Sequence, residues 1–133
     1  MVNLGLPGLV RFVGVKNFFP VSLVIENNTS FAVTDNNVRI RIVSEEDEVE
    51  GFVLIRREDI LLSNEPVETS ATNNFIGRIA EVVPSSGGMD ITVDIGIEIH
   101  ALVTRESQLK LDLREGNDCW VHFKATAVRF IRS

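Results

Sequence analysis

The chain has 133 residues, a length that suits one ordinary domain or two very small ones. Hydrophobic residues make up 44% of it and charged residues 24%, which is the composition of a globular protein. The 13 basic and 19 acidic residues give a net charge of −6, the wrong sign for a protein that binds the phosphate backbone of nucleic acids.

Residues 1–16 are interpreted as a linker or first-strand region. They contain no basic leader and no small-residue cleavage site, so we expect no secretion. The chain has no run of about 18 apolar residues, which argues against a membrane-spanning helix. Its single cysteine, Cys119, excludes an internal disulfide and indicates a reducing, cytoplasmic setting.

Residues 17–66 are predicted to form the first of two units, built from short strands and turns. The expected strands cover residues 18–26, 30–33, 38–43 and 51–55, and asparagine-rich turns separate the first three. An acidic run at residues 45–50 is interpreted as a solvated loop, because it lacks the glycine-punctuated ligand spacing of a calcium loop. The proline-containing residues 63–70 predict the joint between the units.

Residues 67–133 are predicted to form the second unit, with strands at residues 75–83, 89–95, 97–104 and 119–123. The strand at residues 89–95 alternates strictly, which predicts one buried face and one solvated face. The polar positions assigned to the solvated face are Asp90, Thr92 and Asp94. Only residues 105–113 suggest a helical turn or two.

The two units resemble each other in sequence. Residues 17–21 parallel residues 74–78, and residues 51–56 parallel residues 119–124, where an aromatic near the strand start precedes a basic residue at its end. This repeat predicts an all-β fold of two tandem, five-stranded, OB-like barrels. Because a unit of about 60 residues buries little core alone, we expect the units to pack together or to dimerise.

Two polar segments of the second unit have the chemistry of an anion site. Residues 69–74 are rich in hydroxyls, and residues 123–128 place a lysine and a threonine among small residues. A tetrahedral oxyanion offers only acceptor oxygens, so hydroxyls, backbone N–H groups and a cation complement it. By composition alone, a plain turn at residues 70–73 and a solvated Lys124 are the favoured interpretation of these segments.

The stretches TSATNNFIGRI and ALVTRESQLKLDLREGNDCWVHFKATAV resemble the molybdate-binding domain of the Mop, molbindin or TOBE type. Its members open with S-A-R-N and close with K-A-S/T-x-V, and the resemblance covers residues 69–131. FVGVKNFF and VLIRREDILLS resemble the first part of the di-Mop C-terminal regulatory region in ATP-binding subunits of molybdate or tungstate ABC importers.

The resemblance implies which residues surround the oxyanion. They are Ser70, Ala71, Thr72, Asn73, Thr104, Lys124, Ala125 and Thr126. Thr72 stands where the family has an arginine, so one cation is lost. The first unit has Lys16-Asn17 and Arg56-Arg57-Glu58 at the corresponding places and lacks both motifs, so we expect it to be structural. In the family the ligand lies between two chains, which implies an intertwined homodimer.

The implied function is regulatory. The domain would lie in the cytoplasm at the inner face of the membrane, with an ATP-binding domain and a permease as partners, and bound molybdate or tungstate would inhibit uptake. A free-standing molbindin that stores oxyanion is the same-fold alternative. An OB-fold nucleic-acid binder is disfavoured by the net charge, the absence of tyrosine and the single tryptophan.

No feature of the sequence predicts catalysis, a metal site or a cofactor. His100 and His122 lie on different expected strands outside any ligand motif and are interpreted as surface or hydrogen-bonded strand histidines. Cys119 has no flanking basic residue and is interpreted as a buried hydrophobic side chain. The chain contains no G-x-x-x-x-G-K-[ST] loop, so it is not expected to hydrolyse ATP by itself.

Overall fold

The computed structural model describes residues 17–133, so the linker or first-strand region expected for residues 1–16 lies outside it. The strands are β1 (Asn17–Glu26), β2 (Thr29–Thr34), β3 (Arg39–Ile42), β4 (Glu50–Ile55), β5 (Leu61–Ser63), β6 (Asn73–Ser85), β7 (Gly88–Asp94), β8 (Glu98–Val103), β9 (Asp118–Phe123) and β10 (Arg129–Arg132). A short helix, α1 (Arg105–Lys110), follows β8, and two 3₁₀ turns cover Arg57–Asp59 and Ala125–Ala127. The expected all-β class is confirmed, as is the helical segment after residue 104.

The strands form two five-stranded antiparallel sheets of the same design. The first sheet has the order β10-β4-β1-β2-β3, and the second has the order β5-β9-β6-β7-β8. Each sheet therefore takes one edge strand from the other half of the chain: β10 pairs with β4, and β5 pairs with β9. The sheets thus cross the boundary between residues 66 and 67, and the division into units 17–66 and 67–133 stays a prediction.

Strand register fixes which residues of the two sheets are equivalent. Asn17 pairs with Ile55, and Asn73 pairs with Phe123. Residues 51–55 and 119–123 therefore correspond as the sequence repeat predicts. The residue of the second sheet that is equivalent to Asn17, however, is Asn73, whereas the sequence repeat predicts Asn74. This one-residue difference decides burial, because neighbouring residues of a strand point to opposite faces.

These two equivalent asparagines connect the sheets. The Asn17 side chain donates to the carbonyl of His100 at 2.8 Å and accepts from its N–H at 2.7 Å. The Asn73 side chain donates to the carbonyl of Arg41 at 3.0 Å and accepts from its N–H at 2.7 Å. In each case an asparagine at the start of one sheet's long strand forms hydrogen bonds with the backbone N–H and carbonyl of an edge-strand residue in the other sheet. The halves are therefore joined by hydrogen bonds as well as by exchanged strands.

The apolar faces of both sheets meet in one buried cluster. Its fully buried members include Ala32, Ile40 and Val53 of the first sheet and Ile91, Ile99 and Val121 of the second. Gly51 makes the exchange of β10 possible, since a Cβ there would collide with the carbonyl of Ile131 and the ring of Phe130. The halves therefore pack together, as expected for units of this size.

One face of β7 departs from the sequence-based prediction. Asp94 is exposed as expected, but Asp90 and Thr92 are only 1% and 4% exposed, so their assignment to a solvated face was wrong. Arg57 covers this face and places Nη1 2.7 Å from Asp90 Oδ2, while His100 Nδ1 lies 2.9 Å from Asp90 Oδ1. Alternation predicts that the two faces differ, and here the polar face is covered by polar partners from elsewhere in the chain.

Candidate functional site

A surface pocket lies where β9 ends and the second 3₁₀ turn, Ala125–Ala127, begins. Its volume is about 390 Å³. The lining residues are Asp59, Leu61, Thr69, Ala71, His122, Phe123, Lys124, Thr126 and Ala127. The pocket thus unites the two polar segments that the sequence analysis identified, although about 50 residues separate them along the chain.

Strand pairing explains why these segments meet. β6 and β9 are antiparallel, and the first residue of β6, Asn73, pairs with the last residue of β9, Phe123. The segment that precedes β6 and the segment that follows β9 consequently emerge at the same end of the sheet. Residues 69–72 therefore lie beside residues 124–127.

Lys124 supplies the positive charge of the pocket. It is exposed, and within residues 17–133 its ammonium group takes part in no salt bridge. Thr126, two residues later in the second 3₁₀ turn, is also exposed, and Ala125 between them is half-buried. An unpaired ammonium beside a hydroxyl suits an anionic ligand, because each group donates hydrogen bonds.

The segment before β6 is only partly turned toward the pocket. Thr69 and Ala71 line it, and the Ala71 N–H donates to the Thr69 hydroxyl at 3.3 Å. Ser70 and Thr72 are exposed but are not among the lining residues. Asn73 is buried, and its amide is occupied by the backbone of Arg41.

Thr104 lies elsewhere in the chain. It caps α1: its Oγ1 accepts from the N–H of Ser107 and donates to the Ser107 hydroxyl, both at 3.0 Å. Register places it beside the C-terminal end of β6, since Val103 pairs with Met89 and Met89 with Pro84. Lys124 lies beside the N-terminal end of β6. Within one chain, the sheet therefore separates these two predicted site residues.

His122 forms part of the pocket wall and is already fully hydrogen-bonded. Its Nδ1 lies 2.6 Å from Asn74 Oδ1, and its Nε2 lies 2.8 Å from the Ser63 hydroxyl. Burial lowers the pKa of His122 and so favours the neutral ring. This is the hydrogen-bonded strand histidine that the sequence predicts, and it is a structural rather than a chemically available group.

The other reactive side chains are also engaged in the fold. His100 contacts Asp90 and, at 3.2 Å, the hydroxyl of Thr92. Cys119 is fully buried, and burial raises the pKa of its thiol to about 11. No three His, Cys, Asp or Glu side chains of residues 17–133 group into a set that could hold a metal ion. In this same part of the chain, every helix is too short or too polar to cross a membrane.

The first half of the chain has an equivalent turn that is arranged differently. Arg56 takes the place of Lys124 and is ion-paired with Glu58 at 2.9 Å. Arg57 takes the place of Ala125 and is buried against Asp90 and the Ser85 hydroxyl. A larger open groove of about 1400 Å³ runs beside this turn, but none of the predicted oxyanion residues lines it.

Of the lining residues, Thr69, His122, Phe123 and Ala127 were not among the predicted oxyanion residues, and sequence reasoning missed Asp59 and Leu61 entirely. Both belong to the first half of the chain, and they reach the pocket because β5 pairs with β9. Since this exchange joins residues about 60 positions apart, no local pattern indicates it. The Leu61–Leu62 strand after the first turn was the one available signal.

The chain was compared with known protein families and sequences. Residues 69–130 match the family model of the TOBE domain. Over 125 residues the chain is 35% identical to the molybdate/tungstate import ATP-binding protein WtpC of Pyrococcus abyssi (strain GE5 / Orsay), covering 92% of this chain and 34% of the relative. The WtpC protein of Pyrococcus horikoshii is 37% identical over 75 residues, or 56% of this chain and 22% of that protein. The chain thus spans at most about a third of these relatives.

The fold also matches a solved structure. The cytoplasmic molybdate-binding protein ModG, crystallised with molybdate bound, superposes with a TM-score of 0.79 at 17% identity, covering 92% of this chain and 99% of that one. At this identity the match concerns the fold alone, and it confirms two tandem OB-like units of the Mop type. The resemblance inferred from the sequence is therefore confirmed by the match of residues 69–130 to the TOBE domain model and by the similarity to the WtpC proteins.

Proposed function

We propose that the chain is the oxyanion-binding regulatory region of the ATP-binding subunit of a molybdate or tungstate importer. It would act in the cytoplasm, at the inner face of the membrane, beside its ATPase domain and a permease. The main observation in support of this proposal is the pocket in which the unpaired Lys124 and the hydroxyl of Thr126 face the segment at residues 69–71. The likeness to relatives named as molybdate/tungstate import ATP-binding proteins supports this assignment.

The pocket chemistry suits a tetrahedral dianion. Lys124 offers three charged donors, and Thr69 and Thr126 offer hydroxyls that rotate to donate. Ala125 is small enough for the ligand to approach its backbone N–H group, whereas the Ala71 N–H already donates to the Thr69 hydroxyl. Thr72, at the position of the family arginine, adds a hydroxyl where a cation would stand, so Lys124 carries most of the charge recognition.

A second copy of the chain completes the site in this proposal. Ser70 and Thr72 are exposed outside the pocket lining, and Thr104 lies beside the far end of β6. In a homodimer, Thr104 of the other copy would approach Lys124 and close the pocket over the ligand. Asn73 acts by fixing the start of β6 through Arg41 and not by direct contact.

Regulation follows from where the ligand binds. A dianion held between two copies stabilises one arrangement of the dimer over others, and only this difference in affinity shifts the equilibrium. When the internal oxyanion concentration rises, that arrangement would keep the ATPase domains apart and stop uptake. The chain's own role is thus to bind and to signal, without catalysis.

Thermal unfolding with added anions tests the proposal. Tungstate should raise the melting temperature in a concentration-dependent manner and phosphate should not, because a ligand stabilises the state that binds it. Lys124→Ala should weaken tungstate binding by about 10- to 100-fold, the effect of a charge-assisted hydrogen bond of about 1.5–3 kcal/mol.

Arg56→Ala is the matched control, since Arg56 occupies the equivalent position in the first half. It should leave tungstate binding unchanged. Equal stabilisation by phosphate and tungstate would contradict the expected selectivity for tungstate. Loss of tungstate binding in Arg56→Ala but not in Lys124→Ala would show that the site lies in the first half of the chain.

Storage of oxyanion is the second candidate, favoured by the extent of the match to ModG, 99% of whose chain is covered. The two functions differ in their effect on ATP hydrolysis. In the importer, tungstate should inhibit ATPase activity of the complete subunit with its permease. A storage protein would bind tungstate without such a partner.

A further inference from the structure

A single carboxylate lines the oxyanion pocket among the residues that the structure describes, and it belongs to Asp59. Asp59 ends the first 3₁₀ turn, and its N–H donates to the carbonyl of Arg56 at 3.0 Å. Ile60, which follows, is 4% exposed and anchors the chain in the core. The backbone on both sides of Asp59 is therefore fixed, which keeps its carboxylate within reach of the pocket.

Asp59 and Lys124 line the same pocket. Leu61 pairs with His122 in the antiparallel β5–β9 ladder, and each of the two charged residues lies two positions beyond that pair, where the chain leaves the sheet. The two side chains nevertheless form no ion pair within 4.0 Å in the described structure. The pocket thus holds an ammonium and a carboxylate that are both free to interact with a ligand.

The neighbouring acidic residue is arranged differently. Glu58 lies in the other groove, and its carboxylate is 2.9 Å from the guanidinium of Arg56. That hydrogen bond is the main cause of the raised pKa of Arg56, and Asp59 contributes less. Glu58 is therefore ion-paired with Arg56, whereas Asp59 forms no ion pair within residues 17–133 and lines the pocket.

We propose that Asp59 is a specificity-determining residue, which opposes anion binding in proportion to the charge of the anion. The inference rests on the proposed function. Coulomb energy scales with the product of the charges, so the carboxylate penalises a dianion about twice as much as a monoanion of the same size. Such a residue sets an upper limit to affinity, and a regulatory site then fills only when the internal oxyanion concentration is high and empties when it falls.

Calorimetric titration with tungstate and perrhenate tests this inference on the 133-residue chain. Both anions are tetrahedral metal oxides of similar size, but tungstate is a dianion and perrhenate a monoanion. Asp59→Asn should tighten tungstate binding by about tenfold and perrhenate binding by about threefold. The Coulomb energy of the monoanion is half that of the dianion, and half the energy corresponds to the square root of the change in affinity. Glu58→Gln, the matched control, removes the same charge outside the pocket and should change either affinity less than twofold.

The outcomes separate the two proposals. Tungstate binding by the unaltered chain, with no gain in Asp59→Asn or with equal gains in both variants, would overturn the role of Asp59 and leave the proposed function standing. Equal gains for tungstate and perrhenate in Asp59→Asn would also overturn it, because the effect would not follow charge. No binding in all three proteins would reject the proposed function and this inference together. Unchanged melting temperatures of the ligand-free variants confirm that the fold is intact.

Discussion

The two 3₁₀ turns that follow β4 and β9 hold equivalent places in the two sheets, yet only the second brings a cation to the proposed oxyanion site, whereas the first brings the carboxylate of Asp59. In the second turn, Ala125 carries no group that fills the space between Lys124 and Thr126. In the first turn, the equivalent Arg57 folds inward and is locked to Asp90. A duplicated backbone therefore does not duplicate the side chains that face the surface: Arg57 stabilises the fold in the first turn, and the equivalent Ala125 leaves the second turn open beside the proposed site.

The largest expected effect tests the structural role of the first turn. Arg57→Ala removes the guanidinium that lies 2.7 Å from the buried carboxylate of Asp90, and breaking a buried ion pair costs about 3–5 kcal/mol. Denaturant unfolding measures this loss. The control, Arg78→Ala, removes an exposed pair with Asp118 and should cost at most about 1 kcal/mol. If the free energy of unfolding falls by the same small amount in both variants, Arg57 does not stabilise the fold and the contrast between the two turns is wrong.

An intermediate effect tests whether the sheets are equivalent. Asn17→Ala and Asn73→Ala each leave a backbone N–H and a carbonyl of the opposite sheet without partners, which costs about 1–3 kcal/mol. Asn36→Ala, at an exposed turn, should change the unfolding free energy by less than about 0.5 kcal/mol. Markedly unequal costs for Asn17 and Asn73 would break the equivalence that register predicts.

The smallest effect concerns a titrating group that only the second sheet has. His122 stands where the first sheet has Leu54. Its pKa is lowered on folding, so below pH 6.5 the unfolded chain takes up a proton that the folded protein resists. Stability should therefore decline as the pH falls below 6.5, by at most about 1.4 kcal/mol per pH unit. His122→Gln should reduce the difference in unfolding free energy between pH 7.5 and 5.5, and an unchanged difference would contradict the assignment.

Much of the fold follows from local pattern. Period-two alternation predicts β7, glycine- and asparagine-containing turns separate the neighbouring strands, and the repeat of residues 51–55 in residues 119–123 predicts the shared sheet design. The pocket segments at residues 69–74 and 123–128 were identified by their hydroxyl and lysine content, and the resemblance to a family then favoured an oxyanion site over a plain turn. Their meeting in space then follows from a single antiparallel pairing, that of β6 with β9.

What the sequence could not predict depends on long-range contacts. Alternation along β7 does not reveal that Arg57 and His100 cover Asp90, because burial of a polar face requires partners from distant segments. The arrival of Asp59 beside Lys124 depends on the exchange of β5. Likewise, the equivalence of Asn17 with Asn73 depends on a register that two adjacent asparagines leave open.

The crossing of β10 to the first sheet also shapes how the protein is made. On the ribosome, β4 emerges some 75 residues before the strand that covers its edge. Until then β4 presents the mostly apolar sequence Glu50–Ile55 as an open edge, the kind of surface on which nascent chains aggregate. Loss of β10 would expose this edge again, so the exchanged strand protects β4 from pairing with other chains.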